Sequence, residues 1–204
     1  SEQHEGALKT LLYGIETRCG FMLLTGEVGS GKTTTVRGLL NLLTETVETC
    51  YIFNPLVTTL DILKSINKDF GCACDSDSSQ QQMETLNRYL LTLNQQEKTA
   101  VVIIDEAQNL SFEALEMTRM LTNLETESQK LLNVILVGQP ELEEKIAQKN
   151  LRQLAQRIQI RITLTPFNFT QTAGYIEHRL HCAGPRVAAR FEGEAAKKIY
   201  KKSR

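Results

Sequence analysis

Apolar residues along this chain follow two alternating rhythms, short unbroken runs and helical spacings. Ala7, Leu8, Leu11, Leu12 and Ile15 fall at helical spacing and predict an amphipathic helix, with Gly14 its one weak position. Phe21-Met22-Leu23-Leu24-Thr25 is strand-like in length. Val36, Leu39, Leu40 and Leu43 then carry a helix that begins near Lys32. Cys50-Tyr51-Ile52-Phe53, closed by Asn54-Pro55, reads as a second buried strand. Ile62, Leu63, Ile66 and Phe70 return to helical spacing. The most polar stretch, 75–82, reads as an exposed loop entering another helix with Met83, Leu86, Tyr89, Leu90 and Leu93 inward. Ala100 to Ile104 is a fully apolar, β-branched run that fits a central parallel strand covered on both faces. A helix is predicted over 112–124, a fourth buried strand over 132–138, and a charged helix over 141–156. Ile158, Ile160, Ile162 and Leu164 alternate with Gln159, Arg161 and Thr163, the period of an edge strand, and Pro166 ends it. Helical segments over 170–183 and 192–202 close the chain. Strands alternating with helices predict an α/β fold built on a parallel sheet.

Chemistry enters where two of the strands end. The first runs into Gly26-Glu27-Val28-Gly29-Ser30-Gly31-Lys32-Thr33-Thr34, the phosphate-binding pattern G-x-x-x-x-G-K-[ST] in the strand-then-helix context it requires. Its glycines let the backbone turn several N–H groups onto an anion, and the following helix aims its N-terminal partial charge at the same point. Lys32 supplies a full charge for the β- and γ-phosphates, and the Thr33 hydroxyl is placed to reach Mg²⁺. The apolar run 100–104 leads directly into Asp105 and Glu106, at the end of the sheet where parallel strands present ligands. Asp105 is the expected Mg²⁺ holder, and Glu106 the carboxylate that polarises a water for attack on the γ-phosphate. Gln139 follows the fourth strand at the same edge, where its amide can meet the γ-phosphate or orient that water.

Composition narrows the setting without adding chemistry. The chain has 204 residues, enough for one α/β domain with a small appendage. Its formal charge of -1 advertises no global affinity for nucleic acid. The five cysteines, Cys19, Cys50, Cys72, Cys74 and Cys182, lack paired C-x-x-C spacing and read as reduced thiols of a cytoplasmic protein, with Cys72-Ala-Cys74 only a weak zinc signal. No apolar run approaches the ~20 residues that span a bilayer.

The ordered set of motifs is more specific than any one of them. It comprises the leader 1–8 with Leu12-Tyr13-Gly14-Ile15, the loop 24–34, Ile104-Asp105-Glu106-Ala107-Gln108-Asn109-Leu110, Leu121-Thr122-Asn123-Leu124-Glu125-Thr126, Val137-Gly138-Gln139-Pro140-Glu141-Leu142, and 151–158. With it the whole chain resembles the AAA+ ATPases and, within them, the cytoplasmic ATPase module of the ExeA-type secretion ATPases, the general secretion pathway protein A family. The resemblance implies a P-loop NTPase core over 1–165, with a five-stranded parallel sheet in the order 5-1-4-3-2, and a partial helical lid over 166–204. It implies ATP and Mg²⁺ as ligands and hydrolysis of ATP as the reaction. Lys32 and Thr33 become the P-loop lysine and Mg²⁺-binding threonine, Asp105 and Glu106 the metal-organising and catalytic carboxylates, and Gln139 the sensor-1 residue. Asn54 falls where many AAA+ proteins keep a polar residue that restrains the catalytic glutamate. Arg152 or Arg157 becomes an arginine finger that completes a neighbouring subunit's site in a homo-oligomeric ring. A sensor-2 arginine is expected about where the chain ends, and a membrane span and a peptidoglycan-binding part beyond it, so the sequence reads as a fragment. The expected work is assembly or operation of a secretion or cell-envelope system with a membrane-protein partner. Two other readings are an ATP-dependent DNA-binding regulator of the transposition type, and a switch in which ATP only sets the oligomeric state.

Overall fold

The computed structural model describes residues 2–53, 58–72, 74–182 and 193–202. Five strands, β1 (Phe21–Gly26), β2 (Val47–Ile52), β3 (Thr99–Ile104), β4 (Leu132–Gly138) and β5 (Ile160–Leu164), form one parallel sheet in the order β2-β3-β4-β1-β5. The sheet has the order that the resemblance to the AAA+ ATPases implies, written from the other edge. β1, β3 and β4 are the inner strands, and their near-continuous apolar runs reflect burial on both faces. β5 lies at an edge, paired with β1 alone among the described strands, and its alternating exposure follows its alternating sequence.

Side chains alternate across each strand, so the two faces carry separate cores. Met22, Leu24, Val101, Ile103, Ile135 and Val137 face α1 (Glu2–Glu16) and α2 (Lys32–Leu42), which contribute Leu11, Ile15, Val36 and Leu39. Leu23, Cys50, Val102, Ile104, Val134 and Leu136 face the larger opposite core. That core is completed by α3 (Thr59–Asp69), α4 (Ser79–Gln95), α5 (Phe112–Leu121), α6 (Pro140–Ile146) and α7 (Arg152–Arg157). Burial pushes the Cys50 thiol up, out of reach of ionisation, and the nearby Asp69 carboxylate adds to the effect. The chain divides after Leu164 into two compact units. In the second, α8 (Phe169–Cys182) and α9 (Gly193–Lys202) meet edge to face through Phe169 and Tyr200, their centroids 5.9 Å apart. Asn168 and Gln171 cap α8 reciprocally, each backbone N–H donating to the other's side-chain oxygen at 2.9 Å. No helix among the described residues is long and apolar enough to cross a membrane.

Three elements differ from the sequence reading. The second strand, read as buried over 50–53, is Val47–Ile52 at the sheet edge, with only Cys50 fully buried and Phe53 beyond it exposed, because no strand among the described residues covers its outer side. The charged helix expected over 141–156 breaks into α6, a 3₁₀ turn at Lys149–Leu151, and α7. Leu142, Ile146, Leu151 and Leu154 are all buried, and the five-residue step from 146 to 151 falls out of phase with a continuous helix. The polar stretch 75–82 is only partly an exposed loop. Gln82 is fully buried, donating to the carbonyls of Cys74 at 3.0 Å and Ser76 at 2.7 Å while its own amide oxygen accepts from Asn67 Nδ2 at 2.6 Å. These bonds fasten the loop to α3 and α4 by satisfying backbone carbonyls that would otherwise lack partners. Gln82→Ala therefore strips partners from Asn67 and from two carbonyls at once. It is expected to lower stability by roughly 2 kcal/mol or more in urea unfolding, where a solvated glutamine would cost under about 0.5 kcal/mol.

Candidate functional site

The parallel register brings the carboxyl ends of β1, β3 and β4 to one edge of the sheet, with Thr25 opposite Gly138 and Ile104 opposite Leu136. The chain starts in the interior at β1, crosses to the far edge at β2, returns through β3 and β4, and then passes over β1 to β5. Ligands of open α/β sheets bind outside the carboxyl ends at such a reversal.

The loop after β1 turns through left-handed backbone at Gly29, with φ 79°, and Gly31, with φ 92°. At Gly31 the left-handed backbone favours glycine, and a Cβ there would come within 2.4 Å of His4 Nε2 and displace that side chain. Val28 at the loop's tip is 77% exposed, whereas Lys32 behind it is only 7% exposed. The Lys32 ammonium donates to the carbonyls of Gly26 at 2.7 Å and Glu27 at 3.0 Å, folding back across its own loop. A buried ammonium held by neutral carbonyls is poised to exchange them for anionic oxygens, which make stronger charge-assisted bonds. Thr34 stays exposed on α2.

Asp105 is fully buried at the end of β3, and its carboxylate collects donors from three elements. Oδ2 accepts from Thr33 Oγ1 at 3.3 Å and from the Tyr51 hydroxyl at 2.8 Å, while Oδ1 accepts from the Glu106 N–H at 2.9 Å. Burial, and then the hydrogen bond to Asp105, push the Tyr51 hydroxyl above the ordinary tyrosine range, so it stays a donor. Thr33 and Asp105 together offer the hard oxygen donors that suit Mg²⁺. Among the described residues no cluster of three His, Cys, Asp or Glu side chains forms a metal cage, and Mg²⁺ ordinarily needs only one or two protein oxygens beside water and phosphate. The residues present therefore fit that ion.

Glu106 adopts left-handed backbone, φ 55° and ψ 36°, a strained conformation for a residue with a Cβ. The turn brings its side chain beside two amides. Gln108 Nε2 donates to Glu106 Oε2 at 2.6 Å, and Gln139 Nε2 approaches the same oxygen at 3.4 Å. Lys32, Thr33, Asp105, Glu106 and Gln139 are thus gathered at one edge. Arg152 and Arg157, at the two ends of α7, are both solvent-exposed, and Arg157 lies close enough to Glu125 to help hold that carboxyl below its ordinary range, an effect led by Lys130. Asn54 lies outside the described residues.

Three contributors escape a reading of the motifs. Tyr51 looks like one more apolar strand residue, and only its place on the α2 side of β2 reveals what its hydroxyl meets. Gln108 sits within the Asp-Glu-Ala-Gln-Asn run, and its two-residue offset from Glu106 becomes a contact only because of the left-handed turn. His4, on α1, has Nε2 2.8 Å from the Ser30 carbonyl, so its N–H donates there and props the phosphate loop from the side.

A family model described as an AAA domain matches residues 15–146, a stretch that includes the carboxyl ends of β1, β3 and β4. The chain belongs to the AAA-domain family. General secretion pathway protein A of Aeromonas hydrophila is 46% identical over 185 residues, a match that covers 90% of this chain and 34% of that protein. The chain thus spans about a third of the length of that curated relative. Among solved structures, Cdc6p of Pyrobaculum aerophilum superposes with a TM-score of 0.71 at 21% identity, covering 97% of this chain and 54% of that one. The ORC2 protein of Aeropyrum pernix in its ADP form superposes with a TM-score of 0.68 at 17% identity, covering 89% of this chain and 52% of that one. At those identities the two structures bear on the fold. This AAA domain is a P-loop ATPase module.

Tyr51→Phe keeps the ring's packing and removes one donor from a fully buried carboxylate. It is expected to cost about 1–3 kcal/mol in urea unfolding. A loss within about 0.5 kcal/mol would mean that the phenol is dispensable to Asp105.

Proposed function

We infer that this AAA domain hydrolyses ATP by in-line attack of water on the γ-phosphate. The convergence of Lys32, Thr33, Asp105, Glu106 and Gln139 at the carboxyl ends of β1, β3 and β4 carries this reading. The backbone N–H groups of the loop 26–34 would cradle the phosphates, with Lys32 turning from its loop carbonyls to their oxygens. Thr33 and Asp105 would hold Mg²⁺, which when bound offsets the charge of the β- and γ-phosphates. Glu106 would accept a proton from the attacking water, and Gln139, beside it, would report on the γ-phosphate. The core over 1–165 would then act with the segment 166–204 as a partial lid.

The site would be completed between subunits of a homo-oligomer. Arg152 and Arg157 are exposed on α7, where a neighbouring copy can reach them, and either is suited to stabilise transition-state charge in trans. Asn54, just beyond β2, is assigned the restraint on Glu106 that a polar residue supplies at that point in many AAA+ proteins. The likeness to general secretion pathway protein A supports a role in driving a secretion or cell-envelope system, from the cytoplasmic side and with a membrane-protein partner.

Glu106→Gln tests the chemistry. It should retain ATP binding while lowering turnover by at least about a hundredfold, since a positioned general base contributes that much or more. Turnover close to the parent's would remove Glu106 from the mechanism. Phosphate release measured against protein concentration tests the shared site. Specific activity should rise with concentration, and Arg152→Ala or Arg157→Ala should abolish that rise for the residue that acts in trans. Specific activity independent of concentration would leave both arginines without that role.

A further inference from the structure

The Gln108 amide is bonded at both its nitrogen and its oxygen, and the roles assigned above do not use it. It lies in the 3₁₀ turn Ala107–Asn109, immediately after the left-handed Glu106. Its Nε2 donates to Glu106 Oε2 at 2.6 Å, and its Oε1 accepts from the Gln139 backbone N–H at 3.1 Å. The chemistry of the partners fixes which way the amide points. A backbone N–H can only donate and an ionised carboxylate can only accept, so oxygen must face Gln139 and nitrogen must face Glu106.

The surroundings leave this side chain little freedom. A Cβ at Gly138 would come within 2.9 Å of Gln108 Oε1 and 2.7 Å of Leu142 Cδ2, so the absence of a side chain there is what admits the amide. Lys145 of α6 donates to the Gln108 carbonyl at 3.2 Å and also to the Leu110 carbonyl, clamping the turn against α6. Its ammonium sits 5.3 Å from the Phe112 ring centroid. Both amides near Glu106, those of Gln108 and Gln139, address the same oxygen, Oε2. Among the described residues no hydrogen bond reaches the other oxygen, Oε1.

We propose that Gln108 is a positioning residue for hydrolysis: it fixes the plane of the Glu106 carboxylate by holding Oε2, leaves Oε1 to the attacking water, and ties that carboxylate to the backbone of Gln139. The proposal rests on the reading of Glu106 as general base. The tie to residue 139 is also mechanical. Any shift of the β4–α6 junction when the γ-phosphate is present or absent moves the acceptor side of the same amide that holds Glu106. The carboxylate is thereby positioned by the loop that carries Gln139 as well as by its own strand.

Gln108→Met keeps length and bulk while removing both hydrogen bonds, and Gln108→Ala removes the side chain. In the full-length protein, kcat at saturating Mg-ATP should fall by roughly tenfold to a hundredfold in both variants, the cost of misplacing a reacting group by about an ångström. The equilibrium Kd for ATP, measured by dialysis, should stay within about twofold, since neither bond touches the phosphate loop. Adding Gln108→Ala to Glu106→Gln should lower turnover no further than Glu106→Gln does alone. An unchanged or raised kcat in folded Gln108→Met and Gln108→Ala proteins would overturn the proposal. So would a Kd weakened in parallel with kcat, or an additive loss in the double variant. Should Glu106→Gln itself turn over normally, the general-base reading fails first. If Glu106→Gln is inactive and the Gln108 variants are not, only the positioning role falls.

Discussion

Asp105 is a carboxylate with no exposed surface at the end of an apolar strand, and much of the edge is arranged to make that burial tolerable. A buried ionised carboxylate without partners would cost several kcal/mol. It is met by a hydroxyl from α2, a phenol from β2 and the N–H of the next residue. Those three donors come from three different elements, so satisfying one charge fixes the phosphate loop's helix, the second strand and the turn after β3 relative to one another. The same contact set keeps two of the oxygens proposed for Mg²⁺, those of Thr33 and Asp105, side by side.

The sheet makes this arrangement possible. Inner strands covered on both faces have their register specified twice, because a one-residue slip would exchange the two cores. The register therefore holds the ends of β1, β3 and β4 level, and each releases its chain into a tight turn at that edge. The turns are short and geometrically demanding: left-handed glycines after β1, a left-handed glutamate after β3, and a proline-led helix after β4. A rigid sheet and constrained turns keep side chains from distant parts of the sequence within hydrogen-bonding distance, which is the condition for positioned chemistry.

Much of this was legible in the chain itself. Period-two and helical spacings gave the elements, and the G-x-x-x-x-G-K-[ST] pattern, the Asp105-Glu106 pair and Gln139 marked the ends of three strands. Those signals are legible because they are local: a strand's burial shows in its composition, and a phosphate loop needs its glycines at fixed offsets. Partners that meet across elements left no such trace. Tyr51 is 54 residues from Asp105, Gln108 is 31 residues from Gln139, and His4 is 26 residues from Ser30. Gln82 was legible only as polar, because nothing nearby in the sequence shows that loop carbonyls turn back to meet it.

The sequence alone determined that the chain forms a parallel α/β sheet with a phosphate loop and an acidic strand end, since periodicity, glycine spacing and charge are properties of short stretches. Tertiary structure decided which oxygen faces which donor. Gln108 holds one side of Glu106 because Glu106 turns left-handed and Gly138 lacks a side chain, and the buried Asp105 meets a phenol donor because Tyr51 emerges from β2 on the correct face. Hydrogen bonds are short-ranged and directional, so they are fixed only when strand register and turn geometry have brought their partners within about 3 Å of each other.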